Sequence, residues 1–135
     1  MKAAKPSDLE MQIMSVLWNR GASTAREVLE AMPDGKQRAY TSILSVMQVM
    51  EKKGLLRHTN RGVAHVYSPT LSRKKVIRPF MRKIVDEVFG GRPSAMMQAL
   101  LSETPVNDAE LSQIRKLLEQ ARVPGQAKPE RGDKQ

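Results

Sequence analysis

Residues 39–53 read AYTSILSVMQVMEKK and are followed at once by Gly54. Wound at 100° per residue, this stretch gathers its apolar side chains on one face and short polar side chains on the opposite face. The apolar face carries Ile43, Val46, Met47 and Met50, and the polar face carries Thr41, Ser45, Gln48 and Lys52. The pattern predicts a helix that packs through one face and leaves hydroxyl and amide groups available on the other.

Two shorter helices are predicted before this one, because each begins with a capping box. Ser7 precedes Glu10 by three residues, and Thr24 precedes Glu27 by the same spacing. The first box leads into Leu9, Ile13, Val16 and Leu17, and the second into Val28, Leu29 and Met32. We expect the first helix to end near Gly21 and the second to be closed by Pro33-Asp34-Gly35.

A hairpin is predicted after the third helix. Leu55 to Thr59 and Ala64 to Ser68 are strand-like, and Asn60-Arg61-Gly62-Val63 is expected to form the tip between them. Three helices followed by a basic hairpin is the order of a winged helix-turn-helix. The sequence therefore predicts a mostly α fold with a small β wing, in which residues 1–70 form a DNA-binding domain.

Residues 71–122 are predicted to be an all-α dimerisation region. Helices are expected at Leu71–Val88, where Pro79 should kink the helix or mark a frayed start, at Ser94–Leu101 with Ser94 as cap, and after Asn107. Two apolar stripes would be too exposed on isolated helices and would be buried by a second copy of the chain. Their members are Val76, Phe80, Ile84, Val88, Leu111, Ile114, Leu117 and Leu118. Residues 123–135 are rich in Gly, Pro and charged residues, and we expect disorder there.

The charge of the chain points to a polyanionic partner. The net charge is +9, and residues 1–91 hold 16 basic against 8 acidic side chains. The predicted base-reading residues lie on the third helix: Tyr40, Thr41, Ser42, Ser45 and Gln48. The predicted phosphate contacts surround that helix and the wing: Lys36, Arg38, Lys52, Lys53, Arg57 and Arg61.

Other interpretations of these residues stay open. Thr41 or Ser42 could serve only as helix caps, and the third helix could bind another protein rather than DNA. His58 and His65 could pair across the hairpin, although two imidazoles alone make a poor metal site, so no metal or other cofactor is expected. With no cysteine, no paired carboxylates and no phosphate loop or nucleophile elbow, the sequence does not favour an enzyme. No signal peptide or membrane span is apparent, so we expect a cytoplasmic protein.

The ordered set of motifs resembles the penicillinase-repressor (BlaI/MecI) family over roughly residues 6 to 120. The resemblance is carried by Leu9-Glu10 with Met14 and Val16-Leu17-Trp18, by Ala39-Tyr40-Thr41-Ser42-Ile43-Leu44, by Met50-Glu51-Lys52-Lys53-Gly54-Leu55, and by Val66-Tyr67-Ser68-Pro69. Phe89-Gly90-Gly91 and the last two helices resemble the dimerisation region of that family.

This resemblance implies a homodimeric repressor on palindromic DNA operators of β-lactamase or related regulatory genes. It also implies relief of repression by proteolysis in the dimerisation helices, prompted by a membrane-bound sensor metalloprotease. The best-known members are cut between Asn and Phe, whereas the aligned pair here is Ala99-Leu100. A copper-responsive branch carries a C-terminal cysteine cluster, which this cysteine-free chain lacks.

Overall fold

The computed structural model describes residues 6–121, which form six helices and one two-stranded antiparallel sheet. The helices are α1 (Asp8–Arg20), α2 (Ala25–Glu30), α3 (Tyr40–Lys52), α4 (Arg73–Glu87), α5 (Pro93–Glu103) and α6 (Asp108–Gln120), and the strands are β1 (Leu56–Arg61) and β2 (Ala64–Pro69). The prediction of a mostly α fold with a small β wing is confirmed. The tail predicted to be disordered lies outside the described residues.

Both predicted capping boxes are present. The Ser7 hydroxyl accepts from the Glu10 amide at 3.2 Å while the Glu10 carboxylate accepts from the Ser7 amide at 3.0 Å, and Thr24 and Glu27 repeat the arrangement at 3.1 and 2.9 Å. Helix α1 ends at Gly21 as predicted, where φ is 94°, a value that glycine adopts without a Cβ clash. Helix α2 ends at Glu30, earlier than predicted, although Met32 beyond it is still buried.

The hairpin is tighter than predicted. Arg61 pairs with Ala64, so Asn60 and Arg61 belong to β1 and only Gly62-Val63 form the turn. Gly62 has a φ of 61°, which suits a two-residue hairpin turn. At the base of the wing, Tyr67 exchanges two backbone hydrogen bonds with Ser23, at 2.8 and 3.0 Å. These bonds attach the wing to the segment between α1 and α2.

The core of the helix-and-wing unit is built around the apolar face of α3. Ile43, Met47 and Met50 have no exposed surface, and Val46 packs beside them partly buried. The other fully or nearly fully buried apolar side chains come from the remaining elements: Ile13, Met14, Val16, Leu17, Ala25, Val28, Met32, Leu55, Leu56, Tyr67 and Val76. Burial of this set fixes the orientation of α3 and hence which of its residues face outward.

The chain divides into two compact units between Lys83 and Ile84. This boundary lies within α4, whereas the DNA-binding domain was predicted to end at residue 70. Val76 is 8% exposed and belongs to the core of the first unit, and Phe80 packs against that core. The segment just before α4 is tied to α1 by a hydrogen bond of 3.0 Å from the Trp18 indole to the Leu71 carbonyl. Val76 and Phe80, which the sequence grouped with the dimerisation stripe, are therefore core residues of the first unit.

The second unit contains the end of α4 together with α5 and α6. Helix α5 takes Arg92 as its N-cap and Pro93 as its first residue, so the prediction that Ser94 caps it is wrong. Proline is favoured there because the first helical residue needs no N–H donor. Asn107 caps α6 as predicted, its side-chain oxygen accepting from the Glu110 amide at 2.8 Å. None of residues 84–121 is buried.

Candidate nucleic-acid interface

The outer face of α3 is a row of small polar side chains, since burial of the apolar face turns the other face to solvent. Thr41, Ser42, Ser45 and Gln48 are all exposed. Short hydroxyl and amide groups on an exposed helix can approach the edges of bases in the major groove. The core and polar faces predicted from the sequence are those that the structure shows.

The first turn of α3 carries no side-chain cap. Ala39 is the N-cap residue and supplies no side-chain hydrogen bond, so Thr41 and Ser42 do not act as caps. Amide groups left without partners at a helix N-terminus can bind phosphate oxygens. Tyr40 is different from its neighbours, because its ring is partly buried against the core and lies beneath the Arg26 guanidinium at 4.5 Å.

Arg26 was not among the predicted contacts, although its place within the second capping box, in the first turn of α2, puts it beside Tyr40 of α3. Together with Tyr40 and Gln48 it lines a cleft of about 410 Å³ between α2, α3 and the wing, which Val63 and His65 also line. Val63 at the turn of the wing is fully exposed. The cleft brings a cation, an amide and an imidazole from three separate elements to one surface.

Two of the predicted phosphate contacts are engaged in ion pairs. The Arg38 guanidinium binds both carboxylate oxygens of Asp34, at 2.9 and 2.6 Å. This contact holds the pKa of Asp34 far below its ordinary value and raises that of Arg38. The Lys53 ammonium lies 2.8 Å from Glu10, whose carboxylate also belongs to the capping box of α1. Burial raises the pKa of Glu10, but the bonds from Lys53 and Ser7 outweigh burial and leave that pKa below its ordinary value.

The remaining predicted phosphate contacts are exposed: Lys36, Lys52, Arg57 and Arg61. Among residues 6–121, neither Lys52 nor Arg57 forms an ion pair. Arg61 lies near Glu27, whose pKa is lowered first by the hydrogen bond with Thr24 and further by the charges of Arg61 and Arg20. Lys52 and Arg57 are thus the side chains most available to an incoming phosphate.

The face of the wing that turns toward α3 carries histidines. Side chains alternate along each strand, so Arg57 and Arg61 share one face of the hairpin while His58, His65 and Tyr67 share the other. The His58 Nδ1 atom lies 2.7 and 2.9 Å from the two carboxylate oxygens of Glu51, at the end of α3. The ring of His58 stacks on that of His65, with centroids 4.1 Å apart and an angle of 11° between the planes.

Tyr67 completes this cluster beneath the two histidines. Its side chain is 1% exposed, and its ring centroid is 5.6 Å from that of His58. Burial raises the pKa of Tyr67, and the negative charge of Glu51 raises it further. Across the described part of the chain, no group of three or more His, Cys, Asp or Glu residues could hold a metal ion. Nor does any helix there have the length and apolar character needed to cross a membrane.

The comparison that decides the family comes from the sequence as a whole. Residues 6–120 match the sequence profile of the family described as "Penicillinase repressor". The chain belongs to this family. The family is one of transcriptional repressors, and its profile covers α1 to α6 and the wing.

Two relatives with similar sequences agree with this assignment. The chain is 33% identical over 101 residues to "Transcriptional regulator BlaI" of Mycobacterium tuberculosis, which covers 74% of this chain and 71% of that protein. It is 22% identical over 119 residues to the "Penicillinase repressor" of Bacillus licheniformis, which covers 88% and 93% of the two chains. A solved structure, "Solution structure of the DNA binding domain of the repressor BlaI", is 26% identical with a TM-score of 0.47, covering 53% of this chain and 88% of that one.

In this member of the penicillinase repressor family, the pair aligned with the family's cleavage site lies inside a helix. Ala99 is partly buried and Leu100 is 53% exposed, and both lie within α5. Of the predicted dimerisation residues in the second unit, Ile84, Val88, Leu117 and Leu118 are exposed by 40 to 68%. Leu111 and Ile114 are of intermediate burial.

Proposed function

We propose that this chain is a DNA-binding transcriptional repressor that acts as a homodimer on a palindromic operator of β-lactamase or related regulatory genes. The observation that supports it best is the outer face of α3. There, Thr41, Ser45 and Gln48 are exposed together with Lys52, while Arg57 is exposed on the wing, and neither cation forms an ion pair within residues 6–121. Exposed polar groups on one helix, flanked by cations, can make base contacts and phosphate contacts at the same time.

The two sets of side chains have different tasks in this proposal. Thr41, Ser42, Ser45 and Gln48 read base edges, whereas Lys36, Lys52, Arg57 and Arg61 bind phosphates and set the position of the helix in the groove. Arg38 and Lys53 hold Asp34 and Glu10 instead, so each would have to exchange an ion pair for a phosphate contact. Tyr40 supports Arg26 rather than reaching freely toward DNA.

Homodimerisation is proposed because the second unit buries none of its described side chains. A segment of this length with no buried residue among residues 84–121 cannot be stable alone, because small units bury too little surface. Ile84, Val88, Leu117 and Leu118 would be covered by the same surface of a second copy. The two-fold axis of such a dimer matches two inverted half-sites, and binding both together is far tighter than binding one.

Relief of repression is proposed to follow cleavage in this second unit by a membrane-bound sensor metalloprotease, with Ala99-Leu100 as the aligned pair. Since α5 has no buried residue, it can unwind locally at little cost and present an extended backbone to a protease. A cut there separates α6 from the rest of the chain. The dimer would weaken, and the affinity for a two-half-site operator would fall with it.

The test is binding of the full chain to DNA from upstream of its own coding sequence, followed by gel retardation over a salt series. With about 6–10 phosphate contacts, affinity should fall by roughly 10³- to 10⁵-fold between 50 and 200 mM salt. Arg57→Glu should weaken binding strongly, whereas Lys116→Glu, the same charge change on α6, should have much less effect. No retardation at low salt would overturn the proposal. If the chain instead bound another protein, with an affinity that neither salt nor Arg57→Glu changed, the result would favour a protein-interaction module.

A further inference from the structure

The histidine cluster where the wing meets α3 is not used by the predicted contacts. His58 and His65 lie on the face of the hairpin turned toward α3, away from Arg57 and Arg61. His65 is exposed, and with Gln48 and Lys52 it borders a pocket of about 440 Å³ that Glu51, His58 and Tyr67 also line. The cluster therefore adjoins two side chains that the proposed function already assigns to DNA.

The donors of this pocket are arranged for an anion. Lys52 and His65 line this pocket beside Gln48, and the carboxylate of Glu51, which also lines it, is held by His58. An oxygen-rich anion can accept from several such donors together, and a phosphate is the anion that DNA presents beside a recognition helix. A metal does not fit the cluster, since residues 6–121 hold no group of three suitable ligands.

Resting on the proposed function, we propose that His65 contacts a DNA phosphate and that His58, held by Glu51, is the positioning residue that presents it. The Glu51–His58 contacts of 2.7 and 2.9 Å join β1 to the end of α3. The parallel stack at 4.1 Å then carries the ring of His65, on β2, at a fixed place beside Gln48 and Lys52.

DNA binding at this site is linked to proton uptake. The charged or titratable groups that face the two imidazoles are Glu51, Lys52 and Tyr40 on α3, Tyr67 on β2 and Arg26 on α2, the last lining a cleft with His65. Two protonated rings at this separation repel each other, and Glu51 compensates only the one that it contacts. A phosphate beside His65 supplies the second negative charge, so protonated His65 is stabilised in the complex. Because imidazoles change charge between about pH 5 and 8, affinity rises as the pH falls through that range.

The experiment measures fluorescence anisotropy of the full chain on a duplex from its own upstream region, at pH 6.0 and pH 8.0 and constant salt. Uptake of one proton changes affinity by at most about tenfold per pH unit, and we expect binding about 5- to 10-fold tighter at pH 6.0. His65→Gln should remove most of this gain. His65→Lys should bind tightly at both pH values, because the cation is then permanent.

His58→Asn separates positioning from folding, since its amide can still donate to Glu51 while the stacked ring is lost. It should match the wild type at pH 8.0 and lose most of the gain at pH 6.0. Thr59→Ala, an exposed change on the other face of β1, should keep the full gain. Equal affinity of wild type and His65→Gln at both pH values would overturn the inference while leaving the proposed function standing. Failure of the wild type to bind at any pH would instead overturn the proposed function.

Discussion

Lys52 and Lys53 are adjacent in sequence, yet the structure gives them separate tasks, so their replacement by methionine should have separate effects. Lys52 is exposed, and within the described residues it forms no ion pair. Lys53 binds Glu10, whose side chain is only 7% exposed. Methionine keeps most of the length of the lysine stem and removes the charge. The two variants therefore differ in which partner loses a cation.

The magnitudes follow from these contacts. Loss of one phosphate contact in Lys52→Met should lower the slope of log affinity against log salt by about 0.9, with the thermal midpoint unchanged. Lys53→Met leaves Glu10 with its Ser7 partner alone. Because Lys53 is 44% exposed and its charge is partly screened, we expect a loss of about 1 kcal/mol, which is roughly 4–8 °C in the midpoint of a domain of this size.

Anisotropy over a salt series and circular dichroism on heating measure the two quantities on the same samples. The reasoning predicts that each variant moves one quantity and leaves the other near the wild-type value. It would be refuted if Lys53→Met reduced the salt slope as much as Lys52→Met while leaving the midpoint unchanged. That result would mean that Lys53 releases Glu10 and binds a DNA phosphate in the complex.

Three further predictions concern stability and assembly. Because the pKa of Glu10 is lowered in the folded protein, its contribution to stability is complete above about pH 4.5 and is lost as the pH falls through the folded-state pKa. In urea denaturation at a series of pH values, Glu10→Gln should therefore reduce the fall of the free energy of unfolding on the acid side. Val76→Ala should lower the free energy of unfolding by about 1.5 kcal/mol, because Val76 is buried in the core of the first unit. Val88→Ala, at a site that is 68% exposed, should instead weaken self-association measured by sedimentation. Equal effects of the two variants on unfolding would contradict the assignment of Val76 to the core and Val88 to the dimer surface. Gly62→Ala should destabilise the wing by about 1–2 kcal/mol, because φ is 61° and this left-handed conformation is strained for alanine even though an added Cβ would meet no neighbour. Gly62→Asn should be milder, since Asn tolerates this conformation better. An unchanged melting curve for Gly62→Ala would contradict this account of the turn.

The features that the sequence predicted correctly are local in the chain. Each capping box joins residues three apart, and the two faces of α3 follow from helical spacing alone, so neither needs knowledge of the tertiary fold. Periodicity also identified the stripe of α4, but it could not tell which partner covers each residue. Val76 packs on the core of its own unit, whereas Val88 is exposed.

The features that the sequence missed depend on contacts between distant residues. Glu10 and Lys53 are 43 positions apart, so nothing in the local pattern separates Lys53 from Lys52. A pairing of His58 and His65 across the hairpin was considered from the sequence, but the geometry of their stack depends on the register, and the hairpin was predicted with a longer turn than the structure has. Only the Asp34–Arg38 pair had a local signal, since residues at that spacing often form ion pairs, although here they lie outside a helix.

The central claim is that the outer face of α3 reads bases. It is tested most directly by selecting binding sites from randomised duplexes with the wild type and then measuring both the wild type and Gln48→Ala on every single-base variant of the selected site. We predict that Gln48→Ala loses discrimination of about 1–3 kcal/mol at one base-pair position in each half-site and keeps it elsewhere. An equal loss at all positions, or an unchanged preference at every position, would contradict the assignment of α3 as the reader of the operator.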